Sequence, residues 1–387
     1  METRRLYYED SHLKEFDAAV LSCQEGRDGW HIYLDATAFF PEGGGQAGDR
    51  GTLDGVQVLD TREVGGAVCH VTDSPLPVGK TVHGVLDWAF RFENMQGHSG
   101  EHIVSGLVFR RFGYANVGFH MGAEGIIVDF DGFISPEELG EIELAANAVI
   151  WENHPVRTLF PEPRELGNYS YRSKLDLTEN VRLVEIEGVD LCACCAPHVK
   201  ETGQVGLIRI LDSIRRKDGV RIRMLAGSRA LAHCLTESSQ NSRISSLLSA
   251  KPGETADAVK RLMEDRDAIS YRLGGFMRRE AKRMGEDFSP APFGLFFSED
   301  FSDAEARILA NTAGPKCEAL CAVFFGGGDG RRYIIAAGPG GDVRGFTKDM
   351  NAALSGRGGG SAAMTNGSVK ASEQEIRDYF GRYFHED

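Results

Sequence analysis

Two short pairs of metal-ligating side chains, far apart in the chain, restrict what this sequence can fold into more than any other feature. The first is His98 and His102, in the stretch Asn94-Met95-Gln96-Gly97-His98-Ser99-Gly100-Glu101-His102-Ile103-Val104-Ser105-Gly106-Leu107. It reads as the N-terminal part of a helix with Ile103, Val104, Leu107 and Val108 on its apolar side. Residues four apart share a helix face, so both imidazoles point the same way. They can share one metal ion; the alternative is a pair of polar surface residues. The second pair follows Val181 to Ile186, a strand-like run that opens into Leu191-Cys192-Ala193-Cys194-Cys195-Ala196-Pro197-His198. Cys194 and His198 repeat the four-residue offset. Together His98, His102, Cys194 and His198 form a nitrogen–sulfur set that suits zinc better than magnesium or calcium.

Composition narrows the class. With 387 residues, 42% hydrophobic and 26% charged, the chain has room for two or three domains with ordinary soluble cores. No apolar run is long enough to span a bilayer, and Met1 to Arg5 lead into Leu6-Tyr7-Tyr8-Glu9-Asp10 instead of a signal-peptide core, so a cytoplasmic protein without a membrane partner is expected. Three of the eight cysteines sit in the proposed metal loop and Cys23, Cys69, Cys234, Cys317 and Cys321 are isolated, which argues against a disulfide framework. A net charge of -14 argues against a general nucleic-acid coat but leaves room for a local basic track.

Along the chain, residues 1–90 carry short β-rich segments at Ala18 to Cys23, Gly29 to Leu34, Gly55 to Thr61, Gly66 to Val71 and Thr81 to Leu86, the rhythm of a small barrel or sandwich. Among them, Gly43, Gly44 and Gly45 precede Gln46; such a run lets backbone approach a ligand, or is simply a hairpin loop. Residues 91–228 read as α/β, with Ser135-Pro136-Glu137-Glu138 as a helix start. Between Lys200 and Arg229 stand eight Lys or Arg against three acidic residues, including Arg215, Arg216 and Lys217 at a hairpin turn: a candidate phosphate-contact strip or a solvated strand face. Residues 229–285 read as an antiparallel helical hairpin with Leu231, Leu235, Ile244, Leu247, Val259, Leu262, Ile269 and Leu273 at its seam, a spacer or a homodimer surface. After residue 286 a small α/β domain follows. Its Gly-rich stretch Ser355 to Ser368 reads as a loop able to hold phosphate through its N–H groups and Arg357, although it lacks the Lys-Ser or Lys-Thr of a P-loop.

Three ordered motifs, Phe39 to Asp49 with its Phe-x-Pro-Glu-Gly-Gly-Gly-Gln stretch, His98-x-x-x-His102 and Cys194-x-x-x-His198 followed by Val199, Thr202-Gly203 and Gly206, resemble those of the free-standing alanyl-tRNA editing hydrolases, the AlaX proteins in their long form. These are similar to the editing region of alanyl-tRNA synthetase. The expected architecture is therefore α+β and multidomain: a small N-terminal β-barrel with the Gly-rich loop (1–90), an α/β editing domain with a zinc site (91–228), a helical hairpin linker (229–285) and a small C-terminal α/β domain (286–387) resembling the DHH-associated domain. The resemblance implies a trans-editing hydrolase that deacylates alanine tRNA mischarged with serine or glycine and does not charge tRNA. It implies zinc on His98, His102, Cys194 and His198, recognition of the seryl hydroxyl by Thr37, and an aminoacyl pocket shaped by Gln46 and the backbone of Gly43, Gly44 and Gly45. Ester hydrolysis needs an activated water and a stabilised oxyanion, both within reach of zinc, yet four protein ligands close its tetrahedron unless one is loose or a fifth is added. The family loop is commonly Cys-Gly-Gly-Thr-His; here Cys195-Ala196-Pro197 stands between the ligands, and Cys192 and Cys195 are alternative thiolates.

Other readings compete. His98-Ser99-Gly100-Glu101-His102 also fits an inverted zincin, a metallopeptidase that would need a carboxylate such as Glu137, Glu138, Glu141 or Glu152 as third ligand. A zinc-stabilised tRNA-binding module would bind without turnover. A small-ester hydrolase would leave the basic strip without a role.

Overall fold

The computed structural model describes residues 3–173, 179, 181–327 and 330–385, and the chain divides into two compact units, Met1–Ser242 and Arg243–Asp387. The first unit opens with a closed six-stranded barrel. Around its wall run Glu15–Glu25, Trp30–Leu34, Ala67–Thr72, Val56–Val64, Gly51–Leu53 and Thr81–Leu86, which pairs back with Glu15–Glu25. Alternate residues face the interior, as strand pleating dictates: Phe16, Ala18 and Val20 on one strand, Val82 and Leu86 on the strand beside it. The strand Gly51–Leu53, which closes the ring, is three residues long and too short to carry a periodic signal.

Barrel and histidine helix are tied by a buried ion pair. Asp49 accepts from the backbone N–H of Phe40 at 2.6 Å and from Arg91 Nε at 2.8 Å, while Arg91 also donates to the carbonyls of Ser11 and Ala38. Removing one partner of such a pair strands a buried charge, which costs about 3–5 kcal/mol. The helix itself runs Trp88–Phe112, capped by the Asp87 side chain on the N–H of Phe90 and ended at Gly113 in the left-handed conformation. It begins earlier than the sequence suggests, so the histidines lie in its middle turns and not at its N-terminus. Nor is it amphipathic there, since every residue from Gly97 to Gly106 is buried.

Neighbouring elements explain that burial. An antiparallel four-stranded sheet, in the order Ile208–Arg216, Gly219–Ala226, Gly125–Phe130 and Asn116–Gly122, shares a core with the helix and with the capped helix Pro136–Glu152. A three-stranded sheet, Val156–Leu159, Leu183–Ile186 and Asp190–Ala193, brings the second ligand pair. Here too the expectation needs correcting: the strand through Ile186 turns and returns, so Cys192 lies on a strand and the loop starts only at Cys194.

The helix Gly227–Leu247 straddles the boundary between units, and Thr255–Asp287 belongs to the second. All eight residues expected at a hairpin seam, from Leu231 to Leu273, are exposed. The long helix instead buries Ala281 and Gly285 near its C-terminal end, where Ala281 joins Leu309 and Ala310 of the helix Asp303–Ala313 in one core. The second unit is built on a five-stranded sheet in the order Ala291–Ser298, Cys317–Phe325, Arg331–Ala337, Met364–Val369 and Arg357–Gly360, the first pair parallel. Separate cores, one around Leu309 and Val323 and one around Phe346 and Phe380, cover this sheet. The Gly-rich stretch expected as a phosphate loop is the edge hairpin of this sheet, with Gly358 opposite Gly367. Among the described residues no helix is long and apolar enough to cross a membrane, and all eight cysteines are free.

Candidate metal centre and cleft

The fold brings the two ligand pairs together. One ligand atom from each of His98, His102, Cys194 and His198 lies within 4.8 Å of the others, and all four side chains are buried or nearly so. Cys194 Sγ is 3.6 Å from His98 Nε2 and 3.3 Å from His198 Nε2. Bond lengths of zinc to sulfur and nitrogen in a tetrahedron imply ligand separations of about 3.4–3.6 Å, so the donor set matches such an ion in chemistry and the two Cys194–histidine separations are near those values. Burial alone would push the Cys194 thiol up, but His98, His198 and His102 outweigh it and hold it well below the ordinary thiol range.

Each imidazole is fixed from behind. His98 Nδ1 is 3.0 Å from Gln46 Oε1, which orients Nε2 toward Cys194. His198 Nδ1 meets Ser99 Oγ at 3.0 Å, and that oxygen also accepts from the N–H of Val199 at 3.2 Å, so the helix holds the loop through one hydroxyl. Asp190 Oδ2 lies 3.0 Å from His102 Nδ1, within ion-pair reach although off the line of a hydrogen bond. Burial pushes His102 down, but Asp190 and Cys194 outweigh it and hold it well above the usual histidine range; burial takes His198 down to about 3. Such partners set tautomer and ring orientation at metal sites. Asp190 is in turn gripped by both nitrogens of the Arg172 fork at 2.7 Å. Gly106, one turn beyond His102, makes this possible: a Cβ there would stand 2.6 Å from the carbonyl oxygen of Val189.

The centre opens on a cleft of about 1510 Å³ whose wall includes His98, His102, Cys194, Gly44, Glu101 and Arg182. Gly43 and Gln46 exchange backbone hydrogen bonds at 3.1 and 3.0 Å, with Gly44 and Gly45 between them at positive φ, +57° and +80°. That is the geometry of a type I′ turn, which only glycine enters freely at both positions. A Cβ on Gly44 would touch Cys195 Sγ at 3.4 Å and one on Gly45 would overlap the Phe119 ring at 2.6 Å. Glu101 is buried between the two ligand histidines, bound by Ser105 and, at 2.6 Å, by Asn116.

Not every residue singled out in the sequence reaches this site. Thr37 is buried in the barrel and absent from the cleft wall; its hydroxyl pairs with His70 Nε2 at 2.7 Å and accepts from the N–H of Phe39. Burial pushes His70 down to about 4 and its Nδ1 faces the Ile32 carbonyl, so the Thr37 proton is committed to His70 Nε2. Gln46 is fully buried against His98 with its Nε2 unpartnered. Within the basic strip, Arg209, Arg221, Arg223 and Arg229 are ion-paired, whereas among the described residues Arg215, Arg216 and Lys217 are not; Arg215 lies over Phe133. Arg357 is exposed on the edge hairpin of the second unit. Cys192 does not join the four ligands but neighbours His102 and Asp190, and Cys195 stands beside the glycine turn. None of Glu137, Glu138, Glu141 and Glu152 joins either group of potential ligands, so the carboxylate an inverted zincin requires does not come from them.

Sequence reasoning missed Ser99, Asp190, Arg172 and Arg182. Asp190 carried a weak signal, two residues before Cys192 on what proves to be the same strand; Arg182 and Arg172 carried none.

Sequence matches place the chain among proteins related to the aminoacyl-tRNA synthetases. Residues 3–90 match the family described as tRNA synthetases class II (A), and residues 181–223 match the Threonyl and Alanyl tRNA synthetase second additional domain. The chain is 30% identical over 386 residues to alanyl-tRNA editing protein Aarsd1-A of Xenopus laevis, covering 94% of this chain and 93% of that one. It is 29% identical over 391 residues to alanyl-tRNA editing protein Aarsd1 of Danio rerio, covering 95% of each. Alanine–tRNA ligase of Pyrococcus furiosus is 35% identical over 279 residues, 68% of this chain but only 30% of the ligase. This chain belongs to the alanyl-tRNA editing protein family.

Proposed function

We propose that this protein is a trans-editing hydrolase that deacylates alanine tRNA mischarged with serine or glycine at a zinc-containing site. The observation that supports this best is the convergence of His98, His102, Cys194 and His198 in one cluster, three of them (His98, His102 and Cys194) in the wall of a cleft that Gly44 also lines. Those four residues would hold the ion. Zinc held there would supply polarisation of a water or of the ester, or would position the substrate.

The remaining steps fall to side chains and backbone. Gln46, fully buried and outside the cleft wall, acts through His98, whose Nδ1 its Oε1 faces at 3.0 Å. Glu101 offers a carboxylate to the α-ammonium of the aminoacyl group. Gly44 lets the chain pass close to the aminoacyl group without a side chain in the way. Thr37, sealed against His70, enters only by shaping the barrel. Arg215, Arg216 and Lys217, free of carboxylate partners among the described residues, and Arg357 are the proposed phosphate contacts.

Deacylation of alanine tRNA carrying serine, beside the same tRNA carrying alanine, tests this reading with wild type and Cys194→Ala. Selective removal of serine that disappears in the variant and on chelation is expected. Binding without hydrolysis by metal-replete protein would replace it with a tRNA-binding module.

A further inference from the structure

The cleft carries a group of side chains that this chemistry does not use. Phe160, 59% exposed, lies in the wall just beyond the strand Val156–Leu159, in the run Phe160-Pro161-Glu162-Pro163, whose prolines restrict the backbone. Tyr8 meets it edge-on with ring centroids 6.0 Å apart, and the guanidinium groups of Arg182 and Arg5 stand 5.1 and 6.0 Å from the Tyr8 centroid.

Arg182 is the more informative of the two cations. It is only 7% exposed, and its Nη1 donates to the carbonyls of Cys194 at 2.7 Å and Ala196 at 2.9 Å. Its Nε is buried without a partner, and among the described residues no carboxylate pairs with it, whereas Arg5 has Glu63 and Arg172 has Asp190. Arg182 thus lines the cleft with the Cys194 thiol nearby but no carboxylate to neutralise it, and such a cation suits an anion brought by a ligand. An exposed aromatic ring linked to such a cation through one intervening ring, as Phe160 is to Arg182 through Tyr8, is a combination suited to single-stranded nucleic acid, with the base stacked and the phosphate neutralised.

We propose that Phe160, buttressed by Tyr8, stacks the terminal base of the tRNA, and that Arg182 faces the phosphate of the same nucleotide. The proposal rests on the editing reading and deepens it. Because Arg182 also holds the Cys194 loop, the seat lies one side chain from the metal centre, which suits a base and an ester carried on one ribose.

Two measurements test the seat. In steady-state deacylation of mischarged tRNA, Phe160→Ala and Phe160→Leu should raise KM about tenfold with kcat little changed, and Phe160→Trp should restore it. A merely structural role would tolerate leucine better than tryptophan. In the second, a short single strand ending as tRNA does, with 2-aminopurine as its last base, should be quenched by wild type and Phe160→Trp but not by Phe160→Leu. Equal KM for all variants, or a quench that survives in Phe160→Leu or is absent with wild type, overturns the seat. Failure of the wild type to deacylate any tRNA sinks the editing reading instead, and the quenching experiment still decides whether Phe160 binds a base.

Discussion

Two glycine runs, Gly43-Gly44-Gly45 and Gly358-Gly359-Gly360, look alike in the sequence and do opposite things in the fold. The first is a type I′ turn with two residues at positive φ, set against Phe119 and Cys195 beside the metal centre. The second is an edge strand, where a Cβ on Gly358 would come within 2.3 Å of the Asn366 carbonyl oxygen and 2.5 Å of the Tyr333 hydroxyl. In the first run glycine gives the backbone a conformation and access to a cleft. In the second it lets one strand press onto another. Composition cannot separate these uses, because both follow from the missing Cβ and only the neighbours differ.

The largest expected effect is at Gly45. Gly45→Ala should slow single-turnover deacylation about a hundredfold, since a strained turn pushed off Phe119 displaces the pocket by a fraction of an ångström to an ångström. A wild-type rate would reduce the first run to a plain hairpin. Next is the centre that the turn touches: Asp190→Asn should weaken metal binding about 10- to 100-fold in a chelator competition, through His102. Unchanged affinity would leave Asp190 as a partner of Arg172 alone.

In the second run, Gly358→Ala should cost about 1–3 kcal/mol, read as a lower denaturation midpoint, while metal content stays the same. Loss of metal would break the contrast between the runs. Thr37→Val should cost about 1–3 kcal/mol by leaving His70 Nε2 unsatisfied, with the preference for serine over alanine retained. Collapse of that preference would show that the hydroxyl reaches substrate after all. Smallest is Gly359→Ala, with nothing within 4 Å of the added Cβ, which should stay within about 0.5 kcal/mol.

That the two pairs could form one metal-capable cluster was legible because chemistry restricts such pairs: imidazole and thiolate donors at those offsets suit a shared ion. Five barrel strands were legible from alternation and turns. Their closure was not, since it depends on Gly51–Leu53 finding two neighbours at once. The histidine helix was misjudged in its start because Asp87, a local cap on Phe90, was not read as one, and in its burial because Arg91 acts through a distant partner, Asp49. The helical seam failed for the converse reason: apolar residues at helical spacing state a tendency to be covered, and Leu262 and Ile269 remain exposed.

By itself, the sequence determined which donor atoms can hold a metal, where most of the barrel strands run, and where glycine can permit sharp backbone. Those properties are local, set by side-chain chemistry and by sterics within a few residues. The tertiary structure alone decided that Gln46, Ser99 and Asp190 orient the imidazoles, that Thr37 is sealed against His70, and that Phe160, Tyr8 and Arg182 meet beside the Cys194 loop. Each of these depends on residues brought together by burial of a shared core, and no spacing along the chain encodes that.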